Sequence, residues 1–335
     1  MKRVAVLGGG SWGSALAIVL SRSQKAHELR LWVRNPSLAE SIRRERENHS
    51  YLPGQKIPER VFVSDSLAQT LESADIVISA IPAAHAREIL SLAAPHLPPH
   101  SSVVSAAKGL DPNTHARMSE IISQVLPLPA SERFAVLSGP SFAAEAAAGQ
   151  PTAVVLASRD SSLACELQEE FAAPNFRLYT NDDVVGVELA GAMKNVIAIA
   201  AGACQGLGLG SNPLAALITR GLAEMTRLAT ALGARRETLS GLAGLGDLVL
   251  TCTGSQSRNR AVGIELAKGR ALPDVLAGLH HMVAEGVGTA GALLQLATIS
   301  GVELPITEQV NAILHHHKPP QDAIRTIMDR PLKRE

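Results

Sequence analysis

In the first half of the chain, short β-branched and aliphatic runs alternate with stretches whose apolar positions recur every three or four residues. The runs predict strands at Arg3–Leu7, Leu29–Val33, Val61–Ser64, Asp75–Ala80, Val103–Ala106, Phe134–Ser138, Thr152–Ala157 and Phe176–Tyr179. The stretches between them predict helices at Trp12–Arg22, Ser37–Glu47, Ser66–Leu71, Ala84–Ala94 and His115–Val125. Strands that are apolar almost throughout, each followed by a helix, are expected of a parallel sheet covered on both faces. From about Asp182 the strand signal stops. Helical patterning then continues through Val184–Ala203, Pro213–Leu232, Arg258–Lys268, Leu272–Leu279, Gly288–Ser300, Pro305–His315 and Gln321–Asp329. The expected organisation is an α/β fold with a doubly wound sheet over residues 1–180 and an all-α domain over residues 181–335.

Composition narrows the function classes. Of 335 residues, 46% are hydrophobic and 19% charged, enough apolar material for two cores. Lys+Arg and Asp+Glu balance at 31 each, which removes the basic footprint of a general nucleic-acid binder. The apolar run at Val184–Ala203 is interrupted by Glu188 and Lys194, which argues against a membrane span. The segment before the first glycines is too short for a signal peptide. Cys165, Cys204 and Cys252 are far apart and in no metal-ligand spacing, so a reducing cytoplasm and no bound metal are expected. His315–His317 reads as a solvated helix end, since adjacent helical residues do not face one another.

Gly8-Gly9-Gly10-Ser11-Trp12-Gly13 contains G-x-G-x-x-G at Gly8, Gly10 and Gly13, directly after a strand and opening a helix. That context makes it a dinucleotide fingerprint and the sheet Rossmann-type. Gly8 permits the tight turn, Gly10 admits the pyrophosphate to the backbone, and Gly13 lets helix and strand pack closely. The helix start offers free N–H groups to the phosphates. Ser11 can add a hydroxyl, and Trp12 is expected to lie against the cofactor rather than in the core. Arg34, ending the second strand where NAD-binding proteins carry an acidic residue, suits a 2′-phosphate, so NADP or both cofactors are expected.

Two further features carry candidate chemistry. Lys194 has only Ala190, Gly191, Ile197 and Ala198 at helical spacing, so it either snorkels outward or meets a partner from elsewhere in the fold. Gly241-Leu242-Ala243-Gly244-Leu245-Gly246 places Asp247 on an expected glycine-rich turn. Ser257 is a plausible N-cap for a helix opening with Arg258, Asn259 and Arg260, an arrangement suited to an anion. Lys108-Gly109 and Ser138-Gly139-Pro140-Ser141 follow predicted strands, at the carboxyl ends where open α/β sheets bind ligands.

Together these motifs resemble the bacterial-type NAD(P)-dependent glycerol-3-phosphate dehydrogenases. The likeness runs from the first strand to about Pro305. It includes Ala107-Lys108-Gly109, Leu137–Ala143, Gly191–Gly202, Ile218–Gly221, Gly244–Asp247, Ser257–Arg260 and Val283–Val287. Gln205 departs from it, standing where the family often has an acidic residue. The resemblance implies reversible reduction of dihydroxyacetone phosphate by NADPH or NADH to sn-glycerol 3-phosphate for phospholipid synthesis. Lys194 would be the general acid and base. Substrate would be held by Lys108, Gly139, Ser141, Lys194, Asp247, Ser257, Arg258 and Asn259. For the cofactor the resemblance implies Ser11, Trp12, Arg34, Tyr51, Lys108, Ala143, Arg258, Val283 and Glu285, beside the three loop glycines. It is compatible with a homodimer, and implies no nucleic-acid partner and no membrane insertion. The residues themselves leave open a lysine-dependent 2-hydroxyacid dehydrogenase, or a regulator that binds the cofactor without chemistry.

Overall fold

The computed structural model describes residues 1–279 and 282–332. The last three residues of the expected helical domain, 333–335, lie outside the described residues. The chain divides into two compact units: Met1–Asp111 with Ala116–Glu188, and Pro112–His115 with Leu189–Glu335.

The first unit holds ten strands: β1 (Lys2–Leu7), β2 (His27–Trp32), β3 (Glu47–Asn48), β4 (Leu52–Lys56), β5 (Val61–Ser64), β6 (Ile76–Ser79), β7 (Ser102–Ser105), β8 (Phe134–Ser138), β9 (Thr152–Ala157) and β10 (Phe176–Asn181). Its helices are α1 (Ser11–Leu20), α2 (Pro36–Glu45), α3 (Leu67–Leu71), α4 (Ala83–Ala93), α5 (Met118–Val125), α6 (Ala143–Ala147) and α7 (Ser161–Phe171). Eight strands form one sheet in the order β10-β9-β8-β7-β6-β1-β2-β5. Strands β6, β7 and β8 are buried on both faces, which is why their sequences lack alternation. The sheet is mostly parallel rather than wholly so, because β8 and β9 pair antiparallel. The chain returns from β8 to β9 through Gly139–Pro151, whose only helix is the five-residue α6, in place of a full crossover helix.

From β1 the chain builds outward through β2 and β5, then crosses to the other side of β1 and continues from β6. The crevice between the carboxyl ends of β1 and β6 is therefore the topological switch point, where such sheets bind ligands. A short antiparallel hairpin, β3–β4, lies outside the main sheet. The helix expected to reach Glu47 stops at Glu45, because Arg46 adopts a left-handed conformation (φ 51°) and turns the chain into β3.

The second unit is helical. Its long core helix α8 (Val184–Gly206) begins in the first unit and is followed by α9 (Ser211–Ala231), α10 (Arg236–Ser240), a π-type turn (Leu242–Gly246), α11 (Asp247–Thr253) and α12 (Arg258–Ala267). The remainder is α13 (Leu272–Ala277), α14 (Glu285–Ser300), α15 (Pro305–His315) and α16 (Pro320–Met328). Helix α8 is long and apolar enough to cross a membrane by length and composition, yet it is almost entirely buried in the protein. Glycines let its neighbours approach. A Cβ at Gly202 would sit 1.9 Å from the Arg260 carbonyl oxygen, and one at Gly263 1.9 Å from that of Ile199. The backbones of α8 and α12 thus touch directly, which fixes what each helix carries.

Candidate active site

In the first unit the glycine loop occupies the switch point. Gly8 has φ +124°, and a Cβ there would meet the Ala80 carbonyl oxygen at 2.9 Å. At Gly13 a Cβ would overlap the Gly8 oxygen at 1.9 Å, so strand, loop and helix close on one another only without side chains. Gly10 differs: a Cβ there would meet nothing within 4 Å. The loop is packed tight on its inner side and open at the position where a pyrophosphate has to approach backbone, so these residues fit a dinucleotide. Helix α1 starts at Ser11 with no side-chain cap, leaving its first N–H groups for an anion.

The Ser11 hydroxyl donates to the Tyr51 carbonyl oxygen at 2.7 Å, so its proton is committed to the hairpin turn, and Ser11's own offer to an anion is its backbone N–H. Trp12, expected away from the core, instead packs partly buried against it, with its indole Nε1 buried and partnerless among the described residues. Arg34 is exposed just beyond β2. At the carboxyl end of β8, Lys108 Nζ donates to the Gly139 carbonyl (2.7 Å) and the Ser141 hydroxyl (3.2 Å). Ser141 Oγ also donates to that carbonyl at 2.9 Å. Gly139 has φ +123°, and a Cβ there would press on the Val154 backbone at 3.1 Å. Ala143 opens α6 just beyond this turn.

In the second unit, Lys194 is buried in the middle of α8 and does not snorkel. Its Nζ donates to Asp247 Oδ1 at 2.6 Å and to Thr251 Oγ1 at 2.8 Å. Asp247 is 1% exposed, so the carboxylate that faces the ammonium is itself out of water. Asp247 does not lie on a turn as the glycines suggested. It is the first residue of α11, which the π-type turn aims at α8. The Thr251 hydroxyl, one helical turn later, donates to the Asp247 carbonyl oxygen at 2.6 Å and so presents its lone pairs to the lysine. Cys252 is fully buried beside it, and burial pushes its thiol up to about 12, which keeps it inert.

A second polar chain runs alongside. Asn259 Nδ2 donates to Asn195 Oδ1 at 2.9 Å, and its Oδ1 accepts from the Gly286 backbone N–H at 3.0 Å. Asn195, Asn259 and the start of α14, with Glu285 as its first residue, are thereby tied together. Ser257 is the N-cap of α12, accepting from the Arg260 backbone N–H at 3.2 Å. The N–H groups of Arg258 and Asn259 precede that bond and remain at the helix start. Arg258 is exposed, and Val283 is 38% exposed.

Two residues not assigned a role from the sequence belong to these constellations. Thr251 lies four residues after Asp247, the spacing of one helix face; it stands beside the glycine motif in the sequence, but with Asp247 expected on a turn that spacing gave it no role. Asn48, fully buried, bonds the Gly9 carbonyl oxygen and the Ser14 hydroxyl, each at 2.8 Å, and no sequence motif marks it.

Comparison with known proteins finds relatives along nearly the whole chain. Residues 3–164 match the N-terminal profile of NAD-dependent glycerol-3-phosphate dehydrogenase and residues 183–325 the C-terminal one. The chain is 54% identical over 331 residues to a glycerol-3-phosphate dehydrogenase [NAD(P)+] of Koribacter versatilis, covering 99% of this chain and 98% of that protein. It is likewise 54% identical over 339 residues to the enzyme so named in Acidobacterium capsulatum, covering 99% of each. The crystal structure of glycerol-3-phosphate dehydrogenase from Coxiella burnetii superposes with a TM-score of 0.92 at 39% identity, covering 98% of this chain and 99% of that one. The chain belongs to the NAD-dependent glycerol-3-phosphate dehydrogenase family.

Proposed function

We propose that the protein reduces dihydroxyacetone phosphate to sn-glycerol 3-phosphate, and oxidises it in reverse, supplying glycerophospholipid synthesis in the cytoplasm. The observation that carries the reading is the buried Lys194–Asp247–Thr251 cluster. It joins, in one chain, a dinucleotide loop built as described. When bound, NADPH or NADH supplies the hydride that the C2 carbonyl accepts.

What this chain's residues do follows from their chemistry. Reduction leaves negative charge on the C2 oxygen, and a positioned ammonium both stabilises that charge and donates the proton. Lys194 is that group. Burial alone would drive a lysine toward its neutral form; the Asp247 carboxylate opposes this by favouring the ammonium. Asp247 and Thr251 both accept from its Nζ, which holds the nitrogen in place. In the oxidation direction the same nitrogen, once deprotonated, takes the proton from the C2 hydroxyl.

Arg258 and the start of α12 would hold the substrate phosphate, through a charge-assisted hydrogen bond and the free backbone N–H groups. Lys108, Gly139 and Ser141 form a second polar cluster at the sheet's carboxyl edge for the substrate and the cofactor's reactive end. The loop glycines, the backbone of Ser11, Trp12, Arg34 and Tyr51 serve the cofactor, with Ala143, Val283 and Glu285 as further contacts. Following NADPH and NADH absorbance with dihydroxyacetone phosphate, and separately with 2-keto acids, tests the reading. Turnover confined to the phosphorylated ketone supports it, and turnover of a 2-keto acid alone overturns it.

A further inference from the structure

The peptide joining Gly9 to Gly10 is held by a side chain from outside the loop. Asn48, on β3, donates both hydrogens of its amide nitrogen, one to the Gly9 carbonyl oxygen and one to Ser14 Oγ, each at 2.8 Å. Its amide oxygen accepts from the Tyr51 backbone N–H at 3.2 Å. The orientation of this amide is forced, since the Gly9 carbonyl can only accept and the Tyr51 N–H can only donate. The Tyr51 carbonyl in turn accepts the Ser11 hydroxyl at 2.7 Å. The hairpin turn therefore grips the loop at Gly9, Ser11 and Ser14.

In a planar trans peptide the C=O and the following N–H point in opposite directions. Drawing the Gly9 carbonyl inward to Asn48 turns the Gly10 N–H outward, toward the side where a Cβ on Gly10 would meet nothing. Consecutive glycines resist such flips poorly on their own. We propose that Asn48 is a positioning residue for the cofactor's pyrophosphate: it locks the Gly9–Gly10 peptide so that its N–H faces the anion. This rests on the reading that the Gly8–Gly13 loop holds the pyrophosphate.

The test measures equilibrium binding of NADH, ADP and adenosine to the full chain by quenching of tryptophan fluorescence, alongside steady-state kinetics. In the wild type, ADP competes with NADH; if it does not, the reading of the loop itself fails. Asn48→Ala is expected to weaken NADH and ADP by about tenfold or more, because the freed Gly9 carbonyl can turn toward the anion. Adenosine binding and the KM for dihydroxyacetone phosphate at saturating NADPH should stay within about twofold of the wild type. Asn48→Asp keeps the shape and the acceptor for Tyr51 but sets a carboxylate against the Gly9 carbonyl, and should weaken ADP at least as much as Asn48→Ala. Ser11→Ala loosens the second grip without disturbing a buried residue and should weaken ADP by about threefold, which keeps the test open if the Asn48 variants do not fold. The proposal is overturned if the folded Asn48 variants lose thermal stability but bind ADP within twofold of the wild type. It also fails if adenosine loses as much as ADP, or if Ser11→Ala leaves ADP binding unchanged where the Asn48 variants cannot be made.

Discussion

Glu188 gives the sharpest quantitative prediction. It lies near the start of α8 and is 7% exposed. Its carboxyl accepts from the Ser119 backbone N–H and hydroxyl, each at 2.7 Å, and from Arg117 at 3.4 Å. Burial outweighs these bonds and pushes the carboxyl from its ordinary 4.5 up to about 7, with Glu120 nearby adding to the rise. A folded-state pKa above the unfolded one means that the folded chain binds the extra proton between these values. The contribution is fully present below about pH 4.5 and is lost as pH rises through about 7. At about 1.4 kcal/mol per pH unit, the gap is worth about 3 kcal/mol. Glu188→Gln does not titrate, so its stability relative to the wild type should improve by about 3 kcal/mol between pH 4.5 and 8, whatever its offset at any one pH. The assay is urea unfolding followed by tryptophan fluorescence at several pH values. Both tryptophans, Trp12 and Trp32, belong to the unit that contains Glu188, so the signal reports that unit. A difference between the two proteins that is flat across this pH range would refute the reasoning.

Two predictions concern the ligands. Arg34→Asp should move cofactor preference toward NADH by about 10- to 100-fold, the scale of one charge-assisted hydrogen bond, measured as the ratio of kcat/KM values for NADPH and NADH; an unchanged ratio removes Arg34 as the reader of the 2′-phosphate. Arg258→Ala should raise the KM for dihydroxyacetone phosphate by about tenfold or more, checked at modest ionic strength; an unchanged KM returns Arg258 to a solvated helix start.

The parts of the fold that were legible are those where one local signal decides. The strands β6, β7 and β8 are buried on both faces, so their apolar runs were unmistakable. The glycine loop carried its own geometry in its spacing. The β3–β4 hairpin was not legible: Leu52-Pro53-Gly54-Gln55-Lys56 has no alternation, and the helical pattern before it ran on past Glu45. Its importance comes from tertiary bonds made by Asn48 and Tyr51, which leave no periodic trace. The antiparallel β8–β9 pair was hidden because strand direction depends on the connection rather than the strand.

At the candidate catalytic cluster, Lys194 has no carboxylate three or four residues away on its own helix, which left it to snorkel or to meet a partner from elsewhere, and Asp247, at the end of the glycine-rich motif, is that partner. The glycines before it misled about local structure. A Cβ at Gly244 would lie 2.0 Å from the Leu239 carbonyl oxygen, so they serve close packing of the π-type turn rather than a loose loop. With Asp247 placed at the first turn of a helix, Thr251 falls on the same face and completes the cluster.

The central claim is that the buried Lys194 ammonium supplies the proton to the reduced ketone. The most direct measurement is single-turnover oxidation of NADPH by dihydroxyacetone phosphate in Lys194→Ala, with NADPH affinity measured on the same preparation. Loss of a positioned acid predicts a rate lower by about 10²- to 10⁴-fold with NADPH binding nearly intact. A folded Lys194→Ala protein that binds NADPH and turns over within a few-fold of the wild type would contradict it.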